Sequence, residues 1–205
     1  INIVNNVICI CLSAVEIWFG CCKHGENSLL GIVKKNSEEK FKVCNSLAQQ
    51  TNNFCWTLDK PESTLSLGST LTKKFPDLSI LLLNGPLGAG KTTLVKGIAI
   101  SLKIKETITS PTFPLSQHYP SGSPPLIHLD LYRLEDTKAA NEFFLLEEEE
   151  AKAMGALMVI EWPERLSLPM SDAWIGKMQY SSENKGRVFQ LVPPMARDKN
   201  WSISL

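Results

Sequence analysis

The chain has 205 residues, of which 43% are hydrophobic, and it carries 21 basic and 21 acidic side chains. A chain of this size and composition fits one globular domain, or one domain with an extension. The balanced charge excludes strong non-specific attraction to nucleic acid or to a membrane surface, although it leaves room for a local basic patch.

The first 54 residues differ from the rest of the chain. The apolar run over residues 7–19 is shorter than the about 20 residues that span a bilayer, and no basic leader precedes it. All six cysteines precede Trp56, and the first methionine is Met154. We therefore expect residues 1–54 to be an N-terminal extension that is poorly ordered or not part of the native protein, and residues 55–205 to form one domain.

Three elements precede the first functional motif. Residues 56–58 suit a short edge strand. A helix is predicted to begin at Pro61, a residue favoured in the first helical turn, and to end before Pro76. The continuous aliphatic run within residues 79–83 predicts a strand that is buried on both faces of a parallel sheet.

A glycine-rich segment follows this strand. The sequence GPLGAGKT of residues 85–92 matches the pattern G-x-x-x-x-G-K-[ST] at every fixed position. Apolar residues then recur at helical spacing, so the segment opens a helix that runs to about residue 103. A strand before the pattern and a helix after it are the context that a phosphate loop requires, and the sequence therefore predicts a nucleotide site.

The composition of this loop follows from what a phosphate requires. Main-chain N–H groups can surround a phosphate only where no Cβ blocks the approach, which is the use of the glycines. The helix N-terminus adds free N–H groups and the positive end of its dipole. Lys91 supplies a charge for the β and γ phosphates, and the Thr92 hydroxyl is placed to bind Mg²⁺. The predicted nucleotide contacts are Gly85, Pro86, Leu87, Gly88, Ala89, Gly90, Lys91, Thr92 and Thr93.

The second half of the chain continues the alternation of strands and helices. Prolines make residues 110–114 an extended loop. Strands are predicted at residues 115–119, 126–132 and 156–162, a helix at residues 139–154, and a final hairpin from residues 176–180 and 187–192. This order predicts an α/β fold, a P-loop NTPase-like three-layer sandwich around a central mixed, largely parallel sheet.

Two acidic residues end buried strands in this half. Asp130 and Glu161 each follow four residues that are mostly apolar. A buried acid is costly unless a partner satisfies it, and Arg133 or Arg165 could be that partner. P-loop enzymes place acids at strand ends to hold Mg²⁺ and to orient an attacking water. We therefore expect both acids to belong to a magnesium centre.

Five further features have two interpretations each. Thr112 lies in a loop of suitable length to sense the γ phosphate, or it is a turn hydroxyl. His128 is more readily a packing or hydrogen-bonding residue than a catalytic one, and Trp162 more readily packs than stacks on adenine. Arg187 could reach the phosphates, but a surface arginine on a strand is the simpler interpretation. The acidic run of residues 147–150 is most simply a solvated helix surface.

The chain lacks two motifs that are typical of a GTPase. Residues 184–187 read NKGR, without the aspartate of N-K-x-D, and residues 130–133 read DLYR, without the glycine of D-x-x-G. Adenine is therefore the favoured base. A small-molecule kinase would use the same loop, but such kinases usually carry an arginine-rich lid, and the arginines of this chain are scattered.

Four motifs together resemble the bacterial TsaE (YjeE) family, the ATPase component of tRNA threonylcarbamoyladenosine biosynthesis. The segments NGPLGAGKTTLVKG, TSPTF, HLDLYRL and VIEWPERL occur in the order and approximate spacing of that family. The resemblance covers residues 56–192. This sequence departs from the family pattern at Pro114, where the family usually has threonine. It also departs at the glutamate-rich helix, which replaces a Gly-acid-Tyr element.

The resemblance implies an ATPase that uses ATP and Mg²⁺, is weak alone and is stimulated by two protein partners, TsaD and TsaB. TsaD attaches the threonylcarbamoyl group to adenosine 37 of tRNA, and the TsaE-like subunit would reset the complex between turnovers. It would meet tRNA only through the complex, in the cytoplasm and without contact with a membrane.

The match of motifs also implies roles for individual residues. Lys91 would hold the phosphates, and Thr92 and Glu161 would bind magnesium. Asp130 would order water or metal, which makes Lys91, Asp130 and Glu161 the candidate catalytic residues. A nucleotide-sensitive switch loop would contain Ser110 and Thr112.

Two alternatives remain open from the sequence. A small-molecule P-loop kinase is motivated by the phosphate loop alone. A nucleotide-gated binding module without significant hydrolysis is motivated by the loop around Thr112, which would act as its switch.

Overall fold

A computed structural model describes residues 41–43, 54–181 and 186–194 of the chain. The chain divides into a unit of residues 1–38, outside the described residues, and a compact unit of residues 39–205. Most of the predicted N-terminal extension therefore lies outside the described residues, and its boundary at residue 54 stays a prediction. The turn of the final hairpin also stays a prediction, because residues 182–185 are not described.

The described residues contain the elements that the sequence pattern predicts, with bounds that differ by a few residues. The strands are β1 (Phe41–Val43), β2 (Phe54–Leu58), β3 (Ile80–Asn84), β4 (Ser116–Tyr119), β5 (Leu126–Asp130), β6 (Leu157–Glu161), β7 (Trp174–Tyr180) and β8 (Arg187–Val192). The helices are α1 (Pro61–Lys74), α2 (Lys91–Ser101) and α3 (Thr137–Met154), and a 3₁₀ turn covers Pro163–Arg165. Among these described helices, none has the length and apolar character that crossing a membrane requires.

One mixed sheet organises these strands in the order β1-β2-β8-β7-β3-β6-β5-β4. The neighbouring strands β7, β3, β6 and β5 run parallel, and every pair outside this central group is antiparallel. The predicted α/β class with a mixed sheet is confirmed, and its parallel part is confined to the centre. Residues 56–58, predicted as an edge strand, belong to β2, which pairs on both sides.

The central strands are covered on both faces, as the sandwich prediction requires. Leu81 and Leu83 of β3 pack in one core cluster with residues of α1 and α2. Leu82 lies in a second cluster, which includes Phe144 of α3. Because successive side chains of a strand point to opposite faces, this alternation places α1 and α2 on one side of the sheet and α3 on the other.

Helices α1 and α2 touch at two glycines, and this contact fixes the helix that leaves the phosphate loop. A Cβ added at Gly97 would lie 2.2 Å from the carbonyl oxygen of Leu65, and one added at Gly68 would lie 2.3 Å from that of Leu94. Both distances are far below any real contact between carbon and oxygen atoms. The backbones of the two helices therefore approach closely only because both positions lack a side chain.

Candidate functional site

The phosphate-binding pattern forms a loop between β3 and α2, at the carboxyl end of the central strand. Gly90 precedes the helix with φ of 104°, a conformation that disfavours residues with a Cβ, and no side chain caps the helix. In the described part of the chain, no acceptor outside α2 receives the main-chain N–H groups of Gly88 and Gly90 or those of residues 91–93 at the start of the helix. These free donors and the helix dipole make an anion site.

Gly85 is needed for a different reason from the one that the sequence suggests. A Cβ at Gly85 would lie 2.4 Å from the carbonyl oxygen of Met178 on β7, and the residue has φ of 149°. The first glycine of the pattern therefore allows the loop to lie against the backbone of the final hairpin. The approach of a phosphate does not by itself explain it.

Lys91 lies at the start of α2 and folds back onto the loop. Its side chain is buried, and Nζ donates to the carbonyl oxygens of Gly85 at 2.8 Å and Pro86 at 3.2 Å. Burial lowers the pKa of Lys91 from its ordinary value, and the negative charges of Glu161 and Asp130 oppose that effect. The ammonium group is thus held at the loop by carbonyl oxygens, beside two carboxylates.

Glu161 joins the loop helix to the sheet. Its Oε1 accepts a hydrogen bond of 2.8 Å from the Thr92 hydroxyl and lies 3.0 Å from Nε2 of His128. An ionised carboxylate can only accept, so His128 donates to it through Nε2. His128 is fully buried, and its Nδ1 has no partner among the described residues. His128 is thus a hydrogen-bonding residue behind Glu161 and does not line the cleft.

Asp130 ends β5 beside Glu161, because the two residues are paired in register between parallel strands. Its Oδ2 accepts from the hydroxyls of Ser110 at 2.9 Å and Thr112 at 2.6 Å, and its Oδ1 accepts from the N–H of Tyr132 at 3.1 Å. The two switch-loop hydroxyls thus meet at the carboxylate. Neither acid forms an ion pair with an arginine in the described part of the chain.

A cleft of about 310 Å³ collects these groups beside the loop. The predicted catalytic, metal and switch residues that line it are Lys91, Thr92, Ser110, Thr112, Asp130 and Glu161. The cleft also contains Leu87, Gly88, Gly90 and Thr93 of the loop, but Gly85, Pro86 and Ala89 do not line it. The fold therefore brings together side chains from the loop helix, two strands and the segment before β4.

Trp162 forms part of the wall of this cleft directly after Glu161. Its φ of 60° is unusual for a residue with a Cβ. The Lys91 ammonium lies 4.1 Å from the centre of the indole ring, and the centre of the Tyr132 ring lies 4.8 Å from the centre of the Trp162 ring. The indole therefore packs around the buried lysine, and this contact with a cation is favourable in itself.

A second cavity of about 210 Å³ lies on another side of the same loop. The residues that line both cavities are Gly88, Gly90 and Thr93. The remaining wall comes from the end of β2, the following turn and the start of α1, including Leu58 and Lys60, and from residues such as Ala89 and Arg187. The two cavities therefore adjoin each other at the start of α2.

The structure reveals contacts of Arg187 and Tyr180 that sequence reasoning missed. Arg187 donates to the carbonyl oxygens of Ala89 and Gly88, and the Tyr180 hydroxyl donates to that of Leu87. The partners are 93 to 99 positions apart in the chain, so no local pattern could have indicated them. Arg187 therefore donates hydrogen bonds to carbonyl groups of the phosphate loop, and it is not simply a surface arginine on a strand.

The oxygen donors at this cleft fit a small hard cation such as Mg²⁺. The Thr92 hydroxyl and the Glu161 carboxylate lie together at the loop, with the Asp130 carboxylate on the next strand. No cluster of three or more His, Cys, Asp or Glu side chains able to enclose a metal occurs in the described ranges. Mg²⁺ in such sites characteristically takes one or two protein oxygens and completes its shell with phosphate and water, and this donor set suits that pattern.

Comparison with protein families gives a match over residues 58–189 to the family described as "Threonylcarbamoyl adenosine biosynthesis protein TsaE". The chain belongs to the TsaE family. The matched range includes the phosphate loop, both acids and Arg187, so the residues of the candidate site all belong to the TsaE region.

Individual TsaE proteins support this assignment. The tRNA threonylcarbamoyladenosine biosynthesis protein TsaE of Nostoc sp. is 46% identical over 121 residues, which is 59% of this chain and 73% of the Nostoc protein. The protein of the same name from Mycobacterium bovis is 41% identical over 120 residues, covering 56% and 71% of the two chains. Among solved structures, Bacillus subtilis YdiB matches with a TM-score of 0.52 at 22% identity, over 72% of this chain and 89% of YdiB, and this likeness supports the fold.

Proposed function

We propose that this protein binds and hydrolyses ATP as an accessory subunit of the machinery that makes threonylcarbamoyladenosine in tRNA. Membership of the TsaE family supports the pathway. The names of relatives such as the Nostoc protein point to tRNA as the final substrate. The grouping of Lys91, Thr92, Asp130 and Glu161 around one cleft supports ATP binding and hydrolysis.

The observation that carries the proposal is the hydrogen bond between the Thr92 hydroxyl and Glu161, 2.8 Å long, at the mouth of a phosphate loop. A threonine at the loop helix and an acid at the end of the adjacent strand are the protein groups by which P-loop enzymes hold Mg²⁺. A bound Mg²⁺ would neutralise charge on the phosphates and polarise the bond that is broken. Thr92 and Glu161 would hold this ion, and Asp130 would order the water that attacks.

The two adjoining cavities suggest how ATP is oriented. The triphosphate would lie along the free N–H groups of the loop, with Lys91 and the acids at its γ end. The adenosine would enter the smaller cavity beside Leu58 and Lys60, because Gly88, Gly90 and Thr93 line both spaces. Attacking water and adenine would thus lie at opposite ends of the loop.

Two partner proteins complete the proposal. We assign the protein to a cytoplasmic complex with a TsaD-like and a TsaB-like subunit, in which ATP hydrolysis resets the complex between turnovers. Contact with tRNA would occur through that complex.

The test is ATP turnover by the purified protein, measured as phosphate release with and without a TsaB–TsaD pair. We expect slow hydrolysis by the protein alone, faster hydrolysis with the pair, and neither with Lys91→Ala. An equal rate with and without the pair would reject the partner assignment. Full ATPase activity of the Lys91→Ala variant would reject the proposed nucleotide site.

A second candidate function is favoured by the contacts of the switch loop. Ser110 and Thr112 both bind Asp130, so a nucleotide that engaged this carboxylate could release the loop. The protein would then be a nucleotide-gated binding module with negligible hydrolysis. In that case Asp130→Ala would keep full nucleotide affinity but lose the effect of nucleotide on partner affinity, and phosphate release would stay at background.

A further inference from the structure

Three side chains donate hydrogen bonds to the carbonyl groups of the phosphate loop: Lys91 from the cleft, and Tyr180 and Arg187 from the final hairpin. Lys91 Nζ donates to the carbonyl oxygens of residues 85 and 86. The Tyr180 hydroxyl donates to the oxygen of Leu87 at 2.7 Å. Arg187 donates from Nη2 to Gly88 at 3.3 Å and from Nε to Ala89 at 3.2 Å. Five consecutive carbonyl oxygens therefore have a side-chain donor.

Two of these side chains come from the final hairpin and support each other. The Arg187 guanidinium lies 4.3 Å from the centre of the Tyr180 ring, which is a favourable distance for a cation over an aromatic face. Arg187 is also anchored at its own backbone, since Nη1 donates to the oxygen of Gly186 at 2.9 Å. Tyr180 and Arg187 are paired in register between β7 and β8. The pair is therefore held together by its own contacts and by the pairing of β7 with β8.

The direction of these contacts matters for an anion site. A peptide group has its N–H and its C=O on opposite sides, so a carbonyl that is held outward turns the neighbouring N–H inward. Without an outer donor, the carbonyl oxygens of a glycine-rich loop could turn towards the cleft and repel a phosphate. Holding them outward before the nucleotide arrives lowers the reorganisation that binding requires.

We propose that Arg187 and Tyr180 form a clamp on the carbonyl side of the phosphate loop and act as positioning residues for nucleotide binding. They act through the loop and do not contact the phosphates. The proposal deepens the proposed function, because it rests on the loop binding a nucleotide, but its first consequence concerns the loop of the free protein.

The alternative role for Arg187 is a direct bond to a terminal phosphate. The two roles differ in their dependence on the ligand. A clamp shapes the whole loop and affects ADP and ATP alike, and Tyr180 shares in it. A direct bond to the γ phosphate affects ATP alone, and Tyr180 has no part in it.

The test compares Arg187→Met, Tyr180→Phe and the control Gln179→Ala, an exposed neighbour whose side chain points to the other face of β7. The first readout is hydrogen exchange of the Ala89 amide, whose N–H donates to the carbonyl oxygen of Pro86 at 3.2 Å within the loop, in the full-length protein without nucleotide. The second is calorimetric affinity for ADP and for a non-hydrolysable ATP analogue. Thermal unfolding checks that each variant is folded.

We expect faster exchange at the loop in Arg187→Met and Tyr180→Phe, and no change in Gln179→Ala. Both nucleotides should bind about tenfold more weakly to Arg187→Met and about fivefold more weakly to Tyr180→Phe, the sizes that charged and neutral hydrogen bonds imply. If Arg187→Met does not fold, Tyr180→Phe decides alone, since it removes one oxygen from a half-exposed side chain.

Unchanged loop exchange in both variants overturns the clamp. A loss confined to the ATP analogue, with Tyr180→Phe unaffected, overturns it in favour of a phosphate-binding arginine. If the wild-type protein binds neither nucleotide while loop exchange responds as expected, the clamp stands and the proposed function is the part that fails.

Discussion

Thr92 and Glu161 are 69 positions apart in the chain, and the hydroxyl of the first donates to the carboxylate of the second across 2.8 Å. This bond joins the N-terminus of α2 to the end of β6, the strand beside the one that enters the loop. Because a parallel sheet brings the carboxyl ends of its strands to one edge, the fold places an acid beside the phosphate loop without any local sequence relationship.

The first prediction concerns this pair. Glu161→Gln keeps an oxygen that can accept from Thr92 but removes the negative charge, so Mg²⁺ should lose a ligand without collapse of the cleft. We expect the rate of ATP hydrolysis to fall about 100-fold or more, while nucleotide affinity changes little because Lys91 and the loop amides remain. Phosphate release and calorimetric binding measure the two effects.

Thr92 offers the matched comparison. Thr92→Ser keeps the hydroxyl and should retain activity within a few-fold, whereas Thr92→Ala should lose it as Glu161→Gln does. Equal activity of the serine and alanine variants would show that the hydroxyl has no role with the metal.

The second prediction concerns the switch loop. Thr112→Val keeps the shape of the side chain but removes its 2.6 Å bond to Asp130. A hydrogen bond to a charged group contributes about 1.5 kcal/mol or more, so the Leu115 amide, which donates to the carbonyl oxygen of Pro111 within this loop, should exchange about tenfold faster in the free protein. Thr109→Val is the control, because the Thr109 hydroxyl binds Gln117 and not Asp130. An equal response of the two variants would mean that Asp130 does not hold the loop.

The third prediction concerns the buried histidine behind Glu161. His128→Leu should lower the rate of hydrolysis more than the affinity for nucleotide, because Glu161 loses a donor that orients it while the loop is untouched. We also expect a loss of about 1–3 kcal/mol in the free energy of unfolding, the cost of leaving a buried carboxylate oxygen short of a partner. Kinetics and urea unfolding test both parts. His118→Leu is the control, because His118 binds Glu147 away from the cleft, and it should leave hydrolysis unchanged.

The fourth prediction concerns the contact between α1 and α2. Gly97→Ala would gain about 1 kcal/mol in helix propensity. The added Cβ would lie 2.2 Å from a backbone oxygen of α1, and the overpacking costs about 1–3 kcal/mol or more, since backbone cannot move aside cheaply. The net result should be a lower free energy of unfolding, measured by urea denaturation. Lys96→Ala, exposed on the same helix, should not destabilise the protein; a Gly97→Ala variant as stable as that control would contradict the close approach of the helices.

The elements from β2 onward and the chemical parts of the candidate site follow from local sequence, whereas β1 lies within the predicted extension and was not predicted. The phosphate loop is a contiguous pattern with a strand before it and a helix after it, and Asp130 and Glu161 are visible because each ends an apolar run. Their pairing in register agrees with this expectation, since neighbouring parallel strands end together. Their roles in catalysis stay predictions.

Contacts between distant segments could not be predicted in this way. Nothing around Gly85 indicates that its backbone lies against Met178, and nothing around Arg187 indicates the loop carbonyls. The acidic run of residues 147–150 is a further example. Its sequence indicates a solvated helix surface, yet Glu147 accepts from the Ser116 hydroxyl at 2.9 Å and pairs with His118 on β4. Such contacts depend on the order of strands in the sheet, which a local pattern does not encode.

The most direct test of the central claim is a crystal structure of the protein with Mg²⁺ and a non-hydrolysable ATP analogue. We predict that the triphosphate lies against the main-chain amides of the phosphate loop and the start of α2, with Mg²⁺ at the Thr92 hydroxyl and on the Glu161 side of the γ phosphate. A triphosphate bound elsewhere, or a metal remote from both side chains, would contradict the account.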